Sequence, residues 1–294
     1  MINSEEASLY PGKPEITLLI ALYRSEAFIE RTLQSIQSQT LENFVCIIGD
    51  DLSPDNAFSI AWDFATRDRR FRVYRNEQNL GWIENVNRLL SQVETPFYMI
   101  MPHDDVLAPS YLEETHRALL EDPQAVVSFS DISNHYQNGR VVQSAYDVEV
   151  SGEQVAKRAI RFLRGGGSWW LPYRGLVKTS LAGNRLRLRK SMAGEAYADL
   201  PWIFTLTLRG NFVRIPNLLY HKYIYDTSAS NNWGCTLWQH IAAIFSCMRC
   251  LLTQPVKLWD KLIILSVLHL KVIGPFIYLA GQQLFGKKTE SIEH

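Results

Sequence analysis

Residues 16–57 read ITLLIALYRSEAFIERTLQSIQSQTLENFVCIIGDDLSPDNA, and this stretch decides the fold class. It opens with a continuous apolar run, Ile16–Leu22, and continues with apolar residues at helical spacing from Ser25 to Gln37. A second apolar run, Phe44–Ile48, ends in Gly49-Asp50-Asp51. Short apolar runs joined by an amphipathic helix are typical of a parallel βαβ unit with a right-handed crossover. We also expect the Ser25 side chain to cap the helix.

The alternation of strands and helices continues along the chain. Strand-like runs at Phe71–Tyr74 and Phe97–Met101 flank a helical pattern from about Gly81 to Ser91. We therefore predict an α/β fold with a Rossmann-like, mostly parallel central sheet, flanking helices and a C-terminal helical extension. After Asp131 the pattern changes, and we expect a strand pair around Val213–Tyr225.

Polar residues follow the predicted strands at the points where those strands end. Tyr23-Arg24 follows the first strand, Asp50-Asp51 the second, and His103-Asp104-Asp105 the fourth. In open parallel sheets, ligands bind beyond the carboxyl ends of the strands. Three polar clusters on one rim therefore predict a cation-assisted phosphate site.

The adjacent acids Asp104 and Asp105 are candidate metal ligands. Neighbouring carboxylates repel each other, so both remain ionised most easily when a divalent cation lies between them and substrate phosphates. Mg²⁺ and Mn²⁺ suit such oxygen ligands. The alternative is that Asp105 or nearby Pro109 simply begins the following helix.

The overall composition limits the classes of partner and the cellular compartment that we expect for this chain. Lys plus Arg and Asp plus Glu number 30 each, so no global basic field is available to attract nucleic acid. Four cysteines in 294 residues are too few for a disulfide framework and favour a reducing compartment. Cys247 and Cys250 form a lone C-x-x-C, for which free helical thiols are favoured over zinc. The acidic, polar first 14 residues lack an apolar signal core, so we expect a cytoplasmic protein.

Residues 16–131 resemble the family 2 glycosyltransferases, which have the A-type nucleotide-diphospho-sugar fold, and the resemblance continues more weakly to about residue 230. In that family a strand leads to a Tyr-Asn-like turn, a Ser-Ile-x-x-Gln helix segment and Asp-Asp-x-Ser-x-Asp. The matching positions are Tyr23, Glu26, Ile29, Ser35, Ile36, Gln39, Asp50, Asp51, Ser53 and Asp55. Farther on, Asn79-Leu80-Gly81 with Asn87, and MPHDDVL at 101–107, match the family's Asn-x-Gly helix and its metal motif.

The resemblance implies a site for the nucleotide of a sugar donor. Asp51, with Asp50, would hydrogen-bond the nucleobase or the ribose, and Tyr23 and Glu26 would line the nucleoside pocket. Asn79 belongs to the same implied site. The residues themselves also allow a simpler interpretation, in which Asp50-Asp51 forms an Asx-type turn before the next helix and Asn79 is only a turn residue.

The resemblance also implies that Asp104 binds the Mg²⁺ or Mn²⁺ ion, with Asp105 beside it. This sequence departs from the family pattern at the first acid of the Asp-x-Asp motif, which is Pro102 here. We therefore expect Asp104 to be the main protein ligand, with substrate phosphates and water completing the shell.

Sugar transfer needs a base that takes the proton of the acceptor hydroxyl. The stretch ADLPWIFTLTLRG, residues 198–210, resembles the family segment that carries the catalytic Asp, and that position is Asp199. The family's preceding Glu is Ala198 here, and Glu195 is a rival one helical turn away. A carboxylate at this point also suits a helix N-cap.

Four further polar residues and two tryptophans follow Asp131 as weaker candidates. Contacts to the diphosphate are expected from some of His221, Lys222, Ser228 and Ser230. Trp169 and Trp170, next to three glycines, are suited either to stacking on an acceptor sugar or to packing in the core.

The C-terminal segment is apolar from Leu262 to Ala280, with Lys271 near its centre and Gly274-Pro275 as an interruption. A central Lys is costly in a membrane span, whereas flanking lysines favour an anionic membrane surface. We expect residues 255–288 to lie on such a surface. A buried helix or dimer contact, and a true span, are the alternatives.

The resemblance implies an inverting transfer from a nucleoside-diphosphate sugar, preferably a UDP-sugar, to a saccharide or lipid-linked saccharide in cell-surface polysaccharide assembly. The alternative is a non-catalytic nucleotide-sugar-binding or scaffold protein, which Pro102 and Ala198 suggest. We divide the chain into a lead-in (1–14), a nucleotide-sugar-binding subdomain (15–131), an acceptor-side subdomain (132–230) and a helical extension (231–294).

Overall fold

The computed structural model describes residues 13–165, 168–183, 187–190, 194–195, 197–226 and 236–285, with side chains through residue 273. The strands are β1 (Ile16–Leu22), β2 (Phe44–Asp50), β3 (Phe71–Arg75), β4 (Phe97–Ile100), β5 (Val106–Leu107), β6 (Ala125–Tyr136), β7 (Val141–Ser144), β8 (Leu176–Lys178) and β9 (Asn211–Ile224). The helices are α1 (Ile29–Gln37), α2 (Ala57–Arg67), α3 (Trp82–Leu90), α4 (Tyr111–Glu121), α5 (Val155–Arg164), α6 (Trp170–Tyr173), α7 (Thr179–Ala182), α8 (Asp199–Thr207), α9 (Leu237–Thr253) and α10 (Leu258–Phe285).

These strands form one curved, mixed sheet with the order β3-β2-β1-β4-β8-β6-β9-β5, and β7 pairs with β6. The first four strands in this order are parallel, as the sequence predicts. Beyond β4 the strands pair antiparallel, except that β6 and β9 are parallel. The predicted α/β class with flanking helices and C-terminal helices is confirmed. The subdomain boundary at residue 131 falls inside β6, so both proposed subdomains share the sheet.

The central strand β1 is buried along almost its whole length, because helices cover both faces of the parallel half. Helix α1 contributes one apolar face to this core through Ile29, Leu33 and Ile36. Beside this apolar face lies a row of buried polar residues, Thr32 and Ser35 in the helix and Gln39 just after its end. That row therefore needs hydrogen-bond partners within the protein.

The partners of this polar row are backbone groups of the loop that carries Asp104. Thr32 Oγ1 lies 2.9 Å from the carbonyl oxygens of both His103 and Asp105. The side-chain amide of Gln39 donates to Ala108 O (2.8 Å) and accepts from the N–H of Leu112 (3.0 Å). The Ser-Ile-x-x-Gln pattern thus fixes the loop after β4 against α1.

Two local expectations are wrong. Helix α1 begins at Ile29, and the Ser25 hydroxyl donates to the carbonyl of Tyr23 (2.9 Å) instead of capping the helix. The strand pair expected around Val213–Tyr225 is the single strand β9. Its register against β6 shifts at Pro216-Asn217, a bulge that accommodates a proline without a ladder donor.

The C-terminal extension consists of α9 and α10. Thr236 begins α9 with a capping box, in which its hydroxyl accepts from the N–H of Gln239. Helix α10 packs against α5 and α9, where it buries Ile264 and Leu268. None of the helices in the described ranges combines the length and the apolar character needed to cross a membrane.

Candidate active site

The loops after β1 and β2 hold each other in place through reciprocal hydrogen bonds. The Glu26 carboxylate accepts from the backbone N–H (3.1 Å) and the side-chain amide (2.8 Å) of Asn56. In return, Asp55 accepts from the N–H of Glu26 (3.0 Å). Arg24 and Leu52, one in each loop, adopt left-handed backbone conformations with φ of 51° and 59°. Such strain in non-glycine residues is typical of ligand-binding loops.

The predicted nucleoside residues Tyr23 and Glu26 lie exposed on this rim. Tyr23 presents its ring beside the guanidinium of Arg24, 5.2 Å from the ring centre. Because Glu26 already holds Asn56, its carboxylate contributes to loop geometry whether or not it also contacts a ligand. Their roles toward a nucleoside stay predictions.

Asp50 is fully buried at the end of β2, and its side chain closes a turn onto the backbone three residues farther on. Its carboxylate accepts from the N–H of Ser53 (3.2 Å to Oδ2) and pairs with Arg75 Nε (3.3 Å). Arg75 also donates to the carbonyl of Ser53 (2.9 Å). Asp50 therefore shapes the loop at the point where a nucleotide would approach.

Asp51 is buried and organises the loop before α3. Its two carboxylate oxygens accept from the N–H groups of Leu80 and Gly81, both at 2.8 Å. The Asn79 side chain donates back to the carbonyl of Asp51 (3.1 Å). Gly81 has φ of +81°, which explains a glycine at this turn. Asp51 and Asn79 thus lie together, and their roles toward a nucleotide stay predictions.

Asp105 occupies a buried position between three parts of the chain. Oδ2 accepts from Arg174 Nε (3.1 Å) and from the hydroxyl of Tyr220 (2.7 Å), and Oδ1 accepts from the N–H of Tyr223 (3.1 Å). Both oxygens thus have protein donors. The sequence indicated neither Arg174 nor Tyr220. The sequence signal that could have pointed to them is the position of each, a polar side chain within an apolar segment.

Asp104, by contrast, is partly buried, and its carboxylate accepts no hydrogen bond from another side chain in the described part of the chain. Its backbone carbonyl accepts from Arg31 (3.0 Å), which fixes the main chain. Burial, and then the neighbouring Asp105 carboxylate, raise the pKa of Asp104, although His103 and Arg174 counteract the rise. A cation beside this carboxylate would favour its ionised form.

The side chains fit a metal that takes one protein carboxylate. Within the described ranges, no group of three or more His, Cys, Asp or Glu side chains is arranged to hold a metal ion. Mg²⁺ is commonly bound through one or two carboxylates together with substrate phosphates. Asp104 has the free oxygens for such a site, whereas those of Asp105 are engaged. The ligand role of Asp105 stays a prediction.

Asp199 is the first residue of α8, and the charge of Arg174 acts on its carboxylate as it does on that of Asp104. Its carboxylate accepts from the N–H of Leu200 (3.0 Å) and from the Trp169 side chain. Burial raises the pKa of Asp199, although Arg174 counteracts the rise. The rival Glu195 instead pairs with Lys190 at 3.5 Å.

Lys222 completes the charges around Asp104 and Asp199. Its ammonium lies 4.8 Å from the centre of the Trp170 ring. Burial, and then the charge of Arg174, lower the pKa of Lys222 to about 8, although nearby carboxylates including Asp104 and Asp199 oppose this. The two cations Arg174 and Lys222 are therefore shared by the strand-end acids and by Asp199.

The remaining candidates are distributed around this centre. His221 Nδ1 lies 3.1 Å from Nε2 of His135, and burial followed by the charge of His135 lowers the pKa of His221. Trp169 packs against Tyr197 and donates a hydrogen bond to Asp199, and the ring of Trp170 contacts the ammonium of Lys222. Both tryptophans therefore have partners in the protein. Ser228 and Ser230 lie outside the described residues.

A family model described as Glycosyl transferase family 2 matches residues 17–169, just over half of the 294 residues. The chain belongs to this family, as its sequence resemblance predicts.

Individual proteins agree with this assignment. An uncharacterized glycosyltransferase from Haemophilus influenzae is 30 % identical over 101 residues, which cover 34 % of this chain and 31 % of that protein. TarS 1–349 from S. aureus, in complex with UDP-GlcNAc, has a TM-score of 0.69 at 18 % identity and covers 93 % of this chain and 76 % of that one. The mannosyltransferase PcManGT from Pyrobaculum calidifontis, in complex with GDP-Man and Mn²⁺, has a TM-score of 0.57 at 13 % identity, covering 96 % and 77 %. The two structures show the shared fold.

We predict that Asp105→Asn strongly destabilises the protein. It leaves the largely buried Arg174 without its counter-charge, and breaking a buried pair typically costs about 3–5 kcal/mol. Chemical denaturation measures the free energy of unfolding. Asp147→Asn is the matched control, because that carboxylate is 83 % exposed in its pair with Arg214 and its loss should cost at most about 1 kcal/mol. Equal free energies of unfolding for the two variants would show that the Asp105–Arg174 pair does not stabilise the fold.

Proposed function

We propose that this chain transfers a sugar from a nucleoside-diphosphate sugar, a UDP-sugar in the first instance, to a hydroxyl of a saccharide or lipid-linked saccharide acceptor. The observation that carries the proposal is the convergence of Asp104, Arg174, Lys222 and Asp199 at the end of the parallel strands. The context that we propose is the assembly of a cell-surface polysaccharide. Structural neighbours in complex with UDP-GlcNAc and GDP-Man support a nucleotide-sugar donor.

In this proposal the donor nucleotide lies over the loops after β1 and β2. Tyr23 and Glu26 line the nucleoside, and the pair Asp50-Asp51, with Asn79, shapes the surface against which the base and ribose bind. The buried hydrogen bonds of Asp51 to the α3 turn preorganise this surface, which reduces the entropy lost when the donor binds.

The diphosphate then faces the cations of the site. A Mg²⁺ or Mn²⁺ ion held by Asp104 would neutralise charge on the leaving diphosphate. Arg174 and Lys222 supply fixed positive charge from the protein at the same place, where low solvent access strengthens electrostatic interactions. Asp105 keeps Arg174 in position through its 3.1 Å contact.

Asp199 acts as the base that takes the proton from the acceptor hydroxyl. A carboxylate with a raised pKa is a stronger base than an ordinary one, which suits proton abstraction near neutral pH. Attack from the face opposite the leaving diphosphate inverts the anomeric carbon, in line with the family resemblance. The rival proposal, a non-catalytic binding protein, rests on Pro102 and Ala198, where the family pattern has acids.

We also propose that the corner between α9 and α10 rests on the inner face of the cell membrane. Large apolar side chains are exposed there, including Leu258 (69 %) and Trp259 (77 %). Lys257 and Lys261 lie beside them and favour anionic headgroups. Lys271, in contrast, is partly buried near His240 of α9, so its charge is not placed in lipid.

We predict that Asp104→Asn weakens Mn²⁺-dependent binding of UDP. The loss of a ligand carboxylate should cost at least roughly tenfold in affinity, since even outer-shell changes cost that much at metal sites. Calorimetry with UDP, with and without Mn²⁺, measures the effect, and Asp63→Asn, an exposed α2 carboxylate, is the control. Unchanged affinity in Asp104→Asn would contradict the metal assignment.

Asp199→Asn is expected to reduce donor turnover by about 10²–10⁴-fold while UDP binding stays intact. The measurement is hydrolysis of UDP-GlcNAc, with Glu195→Gln as the control that separates the two rival bases. Because the base acts when ionised and its pKa is raised, kcat/KM in the parent protein falls as the pH drops through that raised pKa. Metal-dependent binding without any turnover by the parent protein would instead favour the non-catalytic alternative.

For the membrane corner, we predict that Leu258→Asp with Trp259→Asp weakens binding to phosphatidylglycerol vesicles by about tenfold or more, since burial of one such side chain is worth about 1.5–3 kcal/mol. Co-sedimentation measures the bound fraction. Leu120→Asp is the control, because Leu120 is 60 % exposed on α4, away from this corner. A change in oligomeric state without a change in vesicle binding would assign the corner to a protein contact.

A further inference from the structure

A separate cavity of about 180 Å³ lies along α8, between this helix, the C-terminal end of α9, Gly183 and the segment 187–189. Three arginines line it, Arg187, Arg189 and Arg209, together with Trp202 and Gln254. The proposed donor site uses none of these residues. The cavity is smaller than the roughly 300–1,000 Å³ of pockets that enclose drug-sized ligands, so its size suits one compact group.

Two of the arginines are brought to the cavity by a backbone clamp. The side-chain amide of Asn87 on α3 donates to the carbonyl of Leu188 (3.0 Å) and accepts from its N–H (2.9 Å). Leu188 is buried, and its neighbours Arg187 and Arg189 are exposed. This clamp therefore holds the short segment in a position where Arg187 and Arg189 both line the same cavity.

The third arginine is held from the opposite wall. Arg209 donates through Nε (3.1 Å) and Nη2 (2.8 Å) to the side-chain oxygen of Gln254. Its Nη1 lies against Gly183, where a Cβ atom would come within 2.6 Å. Gly183 also has φ of +79°, a backbone conformation that favours glycine. Burial lowers the pKa of Arg209, which an anion beside it would reverse.

No carboxylate lines this cavity among the residues that the structure describes. The sequence from 183 to 193, GNRLRLRKSMA, contains four basic residues and no acid. Three cations without a counter-charge among the described residues form a surface that is complementary to an anion with several acceptor oxygens.

We infer that this cavity binds a phosphate ester group of the acceptor, and that the enzyme therefore acts on a phosphate-bearing acceptor. Arginine favours phosphate because its planar fork of donors matches two oxygens at once. The cavity residues Trp202 and Thr205 follow the proposed base Asp199 on one helix, roughly 5–9 Å farther along its axis at 1.5 Å per residue. A phosphate held there would anchor the acceptor beside the base. The inference rests on the proposed function, since it assigns the phosphate to the acceptor.

The phosphate has two chemical sources, a soluble phosphate ester and a lipid headgroup, and the test uses one probe for each. Glycerol 3-phosphate is titrated calorimetrically, and phosphatidylglycerol vesicles are tested by co-sedimentation, both with the full chain. We expect Arg187→Gln with Arg189→Gln to weaken at least one probe by roughly tenfold or more. The probe that is weakened identifies the source.

The control double variant, Arg67→Gln with Arg117→Gln, removes the same charge from exposed ion pairs on α2 and α4 and should bind both probes like the parent protein. Asp104→Asn should also retain phosphate binding, so a failure of the donor-site proposal is distinguishable from a failure here. No binding of either probe by the parent protein, or equal binding by both double variants, would overturn the inference.

Discussion

The rest of the site depends on the hydrogen bonds and the ion pair that the buried carboxylate of Asp105 forms. It accepts from Arg174 after α6, from the hydroxyl of Tyr220 and from the N–H of Tyr223 in β9. The strand that follows Asp105, β5, is only two residues long, and its ladder with β9 would be weak without this tie. Because a buried charge is costly when its partners are lost, any movement of β9 away from the loop removes two of the three donors to the Asp105 carboxylate.

This constraint also sets the charges of the candidate active site. Arg174 is fixed by Asp105, and from that position its charge lowers the pKa of both Asp104 and Asp199, opposing the rise that burial causes. Without Arg174, the two carboxylates would favour their neutral forms, which neither bind a cation nor accept a proton well. A structural ion pair thus favours the ionised forms of Asp104 and Asp199, which the proposed function requires.

The sequence predicted the parallel half of the sheet because each part of it carries a local signal. Continuous apolar runs indicate β1, β2 and β4, and polar residues directly after them indicate the rim. Arg174 and Tyr220 could not be found in this way, since they lie 69 and 115 residues from Asp105 and no spacing links them to it. The single strand β9 was predicted as a strand pair, and its bulge explains the difference: a proline that ends most strands is tolerated where the ladder skips residues.

The match to the family model ends at residue 169, before Arg174, Asp199 and Lys222. The matched part builds the surface proposed for the nucleotide, where the chemistry to be recognised is common to many sugar donors. Helix α8 lies in the other part and has two neighbouring features, Asp199 at its first residue and the arginine-lined cavity along its side. Since one rigid helix carries both, the distance from an anchored anionic group to the base is fixed by helical geometry. Selection of the acceptor by its charge is then a property of the part of the chain that the family pattern specifies least.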